Sequence, residues 1–158
     1  AGQQRRAALA RLGFGNAGVH VPHANAYPIA GRVKDFRPRG YPTGEPMVPH
    51  GMAVSLTAPA ALRWTFGSAP DRHRAAARLL DPRAEVTGDP ADHLPRVLLD
   101  VMRDVGMPPG LAAVGYGAGD VDALVEGSLR QERLLAMSPR EVTAEDLAAL
   151  FAASLELW

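Results

Sequence analysis

Residues 51–66, GMAVSLTAPAALRWTF, decide the fold. Met52, Val54, Leu56, Ala58, Ala60, Ala61, Leu62 and Trp64 make the stretch apolar on most sides, as in a helix enclosed by other elements. Pro59 in its middle predicts a kink or two shorter helices, since proline has no N–H and crowds the carbonyl four residues back. Downstream, Ser68-Ala69-Pro70-Asp71 has capping-box spacing and opens a helix to about Leu80. Asp81 to Pro90 reads as a turn region. From Ala91 to Val105, apolar residues recur at Leu94, Val97, Leu98, Val101, Met102 and Val105, the spacing of one helix face. Gly106-Met107-Pro108-Pro109-Gly110 ends that helix. A short Leu111–Val114 segment leads into another from Asp120 to Leu129 or beyond, and Thr143 caps a last one from Ala144 to about Leu157. No stretch alternates as a strand would. The expected fold class is all-α, a helical bundle of about six or seven helices in one domain spanning 1–158.

Upstream, Gln3 to Leu12 holds strong helix formers, with Ala7, Ala8, Leu9 and Leu12 on one face. Gly13-Phe14-Gly15-Asn16-Ala17-Gly18 leaves two readings open. Either the helix ends there in a loop, or it continues and places Asn16, His20 and His23 on one face, with a kink at Pro22. Pro28 to Pro49 reads as a long loop, because Gly31, Pro38, Gly40, Pro42, Gly44 and Pro46 forbid a long regular element. A connection of that length is usually functional or disordered. It carries Arg32, Lys34, Arg37 and Arg39 against Asp35 and Glu45, so it is basic within a neutral chain.

The 158 residues suit a single domain, and 47% apolar residues suit a packed core. Seventeen basic residues balance seventeen acidic ones, so no overall field attracts nucleic acid or an anionic membrane. The absence of cysteine removes disulfides, thiolate metal sites and cysteine nucleophiles. No apolar run reaches the roughly 18 residues of a membrane span, and the first residues lack the apolar core of a secretory signal. One lysine, Lys34, stands against sixteen arginines, which reads as a compositional bias of the genome.

Three of the five histidines, His20, His23 and His50, lie between Gly13 and Met52. Two occupy matching triplets, Val21-Pro22-His23 and Val48-Pro49-His50. Histidine is the commonest metal ligand when one ring nitrogen is free. His50, held between Pro49 and Gly51 just before the apolar helix, could point into a cleft between helices. On spacing alone, however, two polar loop residues are the plainer account, since His-x26-His matches no compact motif. His20 could pair with His23 at i, i+3 or brace it through a hydrogen bond. Asp89 and His93 have helical spacing, but an acid favouring a helix N-terminus explains Asp89 more simply. His73 reads as a solvated helix residue. Gly13–Gly18 satisfies G-x-G-x-x-G, yet it follows no strand and opens no crossover unit, so the dinucleotide reading fails its context test.

Asn16-Ala17-Gly18, His23-x3-Tyr27-Pro28 and Val48-Pro49-His50-Gly51-Met52-Ala53 resemble the iron-containing (group III) alcohol dehydrogenases. The nearest branch in appearance is hydroxyacid–oxoacid transhydrogenase. Its hallmarks here are GFGNAGVH, Tyr27-Pro28, the basic insertion, Asp71-Arg72-His73, the Gly110–Tyr116 segment, Gln131-Glu132-Arg133 and the Glu145–Phe151 segment. The resemblance implies an N-terminal nucleotide-binding domain and a C-terminal helical one, of which this chain corresponds to the second. It implies one Fe(2+), or Zn2+, held by an Asp and three His. His23 and His50 match the last two ligands, and the first two would lie upstream of Ala1. Tyr27 stands where most of the family has a further histidine, facing substrate or nicotinamide. His20 and Asn16 would support the ligands from behind.

The implied activity is hydride transfer between a hydroxyacid such as 4-hydroxybutyrate and an oxoacid such as 2-oxoglutarate, with NAD held by the missing domain. Lys34, Arg37 or Arg39 would meet a substrate carboxylate, arginine being suited to bidentate geometry. Two imidazoles alone would hold an ion loosely, so this chain by itself is expected to be inactive. The alternative is a truncated helical domain or interaction module without catalysis. Expected partners are the small substrate and either a separately encoded N-terminal domain or further copies of the chain, with neither nucleic acid nor membrane. The expected location is the cytoplasm, or the mitochondrial matrix in a eukaryote.

Overall fold

The computed structural model describes residues 2–42, 44–83 and 88–158, with the backbone alone at residues 3, 6, 7 and 14–17. Among these there are eight α-helices and no strand: α1 Gly2–Ala17, α2 Val21–Gly31, α3 His50–Thr65, α4 Pro70–Leu80, α5 His93–Asp104, α6 Val121–Leu129, α7 Glu132–Leu135 and α8 Ala144–Ala153. None of these helices is long and apolar enough to cross a membrane. The all-α expectation holds, with one or two more short helices than the sequence spacing predicts. Part of the expected Asp81–Pro90 turn, residues 84–87, lies outside the described residues.

The apolar stretch 51–66 folds as α3, and it lies at the centre. Ala53, Leu56 and Ala61 of α3 share one core with Val21, Ala26 and Ile29 of α2, Leu124 and Val125 of α6, and Leu147, Leu150 and Phe151 of α8. Burying a side chain such as Phe151 or Leu56, both wholly enclosed, contributes about 1.5–3 kcal/mol. A smaller cluster, Ala77 of α4 with Leu94 and Val97 of α5, fastens the outer helices to Leu62 of α3. Val101 and Val105 from the far end of the α5 stripe are exposed, whereas Met102 between them is buried in the core. Pro59 is buried and leaves α3 a single helix.

Helix α1 continues through Gly13 and Gly15 and stops at Gly18, whose φ of +75° only glycine adopts cheaply. Asn16 and His20 therefore do not share a helix, and the side chain of Asn16 lies outside the described residues. Pro22 kinks nothing, because it falls in the first turn of the new helix α2, where a missing N–H has no carbonyl to lose. The long loop begins at Arg32 rather than at Pro28, which sits inside α2. Pro28 is buried against α6, where a Cβ added to Gly127 would lie 2.5 Å from the proline ring; that close packing offsets the lost hydrogen bond. The free carbonyl of Ile29 near the end of α2 accepts a hydrogen bond from the Tyr116 hydroxyl, which satisfies one orphaned terminal group.

Loop 32–49 is pinned rather than loose. Val48 is buried, Val33 and Phe36 pack on the core, and the Met47 N–H donates to the Phe36 carbonyl at 2.8 Å. Two other local expectations change. Ser68 does not cap α4; it ends a 3₁₀ turn, and Ala69 precedes Pro70 with no side-chain cap. Helix α8 stops at Ala153, four residues earlier than Leu157, but Thr143 and Asp146 do form its reciprocal capping box. Asp146 also accepts from the Trp64 indole at 3.0 Å, fixing α8 to the end of α3.

Candidate metal centre

The two Val-Pro-His triplets do the same local work. In each, proline sits at a helix start and histidine enters the first turn: His23 is the third residue of α2 and His50 the first of α3. Because α2 and α3 pack along each other, those two histidines meet, with ring centres 5.5 Å apart and planes tilted by 59°. Tyr27, one turn after His23, approaches His50 edge-on with ring centres 5.9 Å apart. His23 is half-buried, whereas His50 and Tyr27 are exposed, so the cluster opens outward.

The spacing fits a shared ion. Two imidazoles bound to one metal at about 2.0–2.1 Å place their ring centres roughly 5 Å apart, close to the separation seen. Neither ring makes a hydrogen bond to another described residue, which leaves nitrogen lone pairs available. Burial, then the neighbouring His50 and His20, push the pKa of His23 below the ordinary value of 6.5. Its imidazole is thus held neutral, the form that ligates. No set of three or more His, Asp or Glu side chains able to hold a metal occurs among the described residues, so an ion at this pair would need further ligands.

His20 does not join the pair through a ring contact. It is the residue before α2, its carbonyl accepts from the N–H groups of His23 at 2.9 Å and Ala24 at 3.1 Å, and its Nδ1 is buried without a partner. Burial and then the nearby His73 lower its pKa. His73 is not the solvated residue expected from the sequence. It lies edge-on to Phe66, with ring centres 5.7 Å apart, and its Nε2 is 3.5 Å from the Thr65 hydroxyl. Its place one turn before the buried Ala77 was the signal that could have found it. His93 is buried, and Asp89 turns away from it to cap the preceding 3₁₀ turn, accepting from the Ala91 N–H at 2.9 Å.

The basic loop residues are distributed differently. Lys34 is bound to Asp120 at 2.8 Å and lies 5.8 Å from the Tyr116 ring centre. Arg37 donates to the Asp35 carbonyl at 3.0 Å. Arg39 is exposed and makes no ion pair among the described residues. Tyr27 also borders a small cavity of about 160 Å³ shared with Arg130, Gln131, Glu132, Arg133 and Leu134. The sequence reading had no reason to place that segment near Tyr27.

The lowered pKa values of His20, His23 and His73 set a pH dependence. Below about pH 6.5 the unfolded chain binds protons that the folded chain resists, so stability rises with pH through that window. We expect the melting temperature to be level above pH 7 and to fall as pH drops from 6.5 towards 5. Asp120 and Asp146, whose pKa values are lowered mainly by hydrogen bonds, add a separate loss only below about pH 4. Thermal melts across pH 4.5–8 would check this, and an equal melting temperature at pH 5.5 and 7.5 would refute the histidine contribution.

Comparison with known proteins adds the following. Residues 6–155 match the Fe-containing alcohol dehydrogenase family, C-terminal. The chain is 47% identical over 152 residues to "Hydroxyacid-oxoacid transhydrogenase, mitochondrial" of Xenopus laevis, covering 95% of this chain and 33% of that protein. It is 44% identical over 153 residues to the protein of the same name from Homo sapiens, covering 96% of this chain and 33% of that one. The chain therefore spans about a third of the length of the curated relatives it matches. Among solved structures, the alcohol dehydrogenase from Oenococcus oeni superposes with a TM-score of 0.75 at 25% identity, over 92% of this chain and 35% of that one. A 1,3-propanediol oxidoreductase shares the fold, with a TM-score of 0.68 at 22% identity, over 85% of this chain and 32% of that one.

Proposed function

The chain belongs to the Fe-containing alcohol dehydrogenase family, as its C-terminal part, and from that premise we propose that it is the metal-binding, substrate-facing half of a hydroxyacid–oxoacid transhydrogenase. The observation that carries this reading is the meeting of His23, His50 and Tyr27 at the adjoining starts of α2 and α3. In this proposal a nucleotide-binding domain outside residues 1–158 contributes the remaining ligands and holds NAD. By the relatives' names the compartment is mitochondrial, which for this chain means the matrix if its source is a eukaryote and the cytoplasm otherwise.

His23 and His50 would hold Fe(2+) or Zn2+ through their neutral imidazoles. The ion, when bound, acts as a Lewis acid on the substrate oxygen, favouring the alkoxide in one direction and polarising the carbonyl in the other. The nicotinamide, when bound by the other domain, would supply the hydride acceptor for oxidation of the carbinol carbon of 4-hydroxybutyrate to the aldehyde and the hydride donor for reduction of the carbonyl carbon of 2-oxoglutarate to the hydroxydiacid, one proton being released in the first half-reaction and one taken up in the second. Electrons and atoms balance without free NADH. Tyr27 stands beside His50 as the wall of the substrate position. His20, whose carbonyl accepts from the His23 N–H at 2.9 Å, steadies that ligand from behind. Arg37 and Arg39, with Lys34 already matched by Asp120, make loop 32–49 the positive rim that draws in anionic substrates.

A second reading, a helical domain without catalysis, is favoured by the absence of a third ligand among the described residues. One experiment separates the two. The chain, Fe(2+) and a separately produced nucleotide-binding domain are supplied with 4-hydroxybutyrate deuterated at C4 and with 2-oxoglutarate. Mass spectrometry is expected to find deuterium at C2 of 2-hydroxyglutarate. If the halves associate and bind iron and NAD, yet no label is transferred, the transhydrogenase reading fails.

A further inference from the structure

The cavity that Tyr27 shares with Arg130, Gln131, Glu132, Arg133 and Leu134 contains three charged side chains, and their partners differ. Arg130 is ion-paired with Glu126 one turn back in α6, and Arg32 also reaches Glu126 at 3.9 Å. Glu132 immediately precedes Arg133 in α7; successive helix positions point about 100° apart and do not face one another, and no ion pair joins them. Arg133 is exposed and makes no ion pair or hydrogen bond with any described residue. It is the uncommitted cation of a cavity one of whose walls is Tyr27. Tyr27 also stands beside the histidine pair, with its ring centre 5.9 Å from that of His50, so the two positions share that side chain.

Resting on the proposed function, we propose that Arg133 anchors the substrate carboxylate remote from the reacting carbon, and that the same anchor serves both half-reactions. The chemistry of the two substrates supports a common anchor. In a 4-hydroxyacid, the carboxylate carbon lies three carbons from the carbinol carbon. In a 2-oxodiacid, the distal carboxylate lies three carbons from the carbonyl carbon. One cation in the cavity that Tyr27 borders therefore suits either substrate alike, as required where both use one site in turn. A guanidinium suits the task because it binds a carboxylate through two parallel N–H bonds. The second carboxylate of the oxodiacid, adjacent to its carbonyl, is left to the arginines of loop 32–49.

The test uses the metal-free chain with 2-oxoglutarate, 4-hydroxybutyrate and the uncharged 1,4-butanediol as probes, followed by NMR at the arginine Nε–Hε and tyrosine ring signals. Both acids are expected to shift the Arg133 and Tyr27 signals saturably, and the diol is expected to leave Arg133 unmoved. Arg133→Gln should weaken both acids about tenfold or more, the loss expected for a charge-assisted pair. Arg133→Lys should recover part of the affinity, while Arg37→Gln and Arg39→Gln weaken 2-oxoglutarate more than 4-hydroxybutyrate. An Arg133 signal indifferent to both acids overturns the assignment, as does an R133Q variant that binds them as wild type does. Zn2+ titration of the same samples, read at the His23 and His50 ring signals, keeps the two proposals apart. Zinc binding with a silent Arg133 removes the anchor alone, and a responsive Arg133 without zinc binding removes the metal reading alone.

Discussion

Replacing His50 with alanine is expected to lower the chain's affinity for Co2+ or Zn2+ by at least about 100-fold, because loss of a mere supporting partner already costs 10–100-fold. His23→Ala should do the same. The two variants should differ in stability. His50 is exposed at the first position of α3, so its removal should change unfolding free energy by no more than about 0.5 kcal/mol. His23 is half-buried in the first turn of α2, and its loss should cost about 1 kcal/mol. Calorimetric metal titration beside urea unfolding measures both quantities. Uptake should persist to lower pH than free imidazole allows, because burial and the neighbouring histidines hold the pKa of His23 below 6.5. Equal metal affinity in wild type and H50A would mean that the 5.5 Å approach of the rings is packing and nothing more.

Gly110→Ala should be the most destabilising single change outside the apolar core, by roughly 3 kcal/mol or more. Gly110 has φ of +142°, in the region that side chains rarely enter. A Cβ there would lie 2.3 Å from the Leu155 carbonyl oxygen and 2.8 Å from its carbonyl carbon. Neither is a flexible side-chain end, so backbone must move. The segment cannot move freely, because the Leu111 N–H donates to the Ser154 carbonyl at 2.8 Å, the Ala112 N–H to Leu155 at 3.0 Å, and the Leu157 N–H to Pro109 at 2.8 Å. Those bonds tie the end of α8 to the connection before α6. Denaturant midpoints would show the loss. Gly106→Ala serves as control: it also has positive φ, 72°, but open space around the added Cβ, so it should cost only the conformational part. If both variants lost the same stability, the backbone approach at Leu155 would be irrelevant.

The contrast between those two glycines shows where sequence reading stops. Gly106-Met107-Pro108-Pro109-Gly110 is legible as a helix terminator, since glycine and proline act through their own backbone geometry. That Gly110 touches Leu155 involves a residue 45 positions away, and no local rule contains it. The same division runs through the site. The central helix, the capped start of α8 and the amphipathic α5 were readable from spacing. His23 and His50 became candidate ligands rather than loop residues only through resemblance to a family. Asp71-Arg72-His73 looked solvated because burial of His73 depends on the Phe66 turn folding back over it. Pro28 looked like a helix breaker because its compensation comes from α6.

By itself the sequence determined the all-α class, the helix that starts beside Val48-Pro49-His50 and the neutral overall charge, because these follow from side-chain periodicity, proline geometry and composition. Only the tertiary structure decided that the two triplets meet, since the 5.5 Å approach of His23 and His50 is set by the packing of α2 on α3 across an intervening loop. It also decided which cations remain free. Lys34 is matched by Asp120 and Arg130 by Glu126, while Arg133 faces the cavity beside Tyr27. Charge pairing depends on where distant helices bring their ends together, and the order of residues along the chain does not specify it.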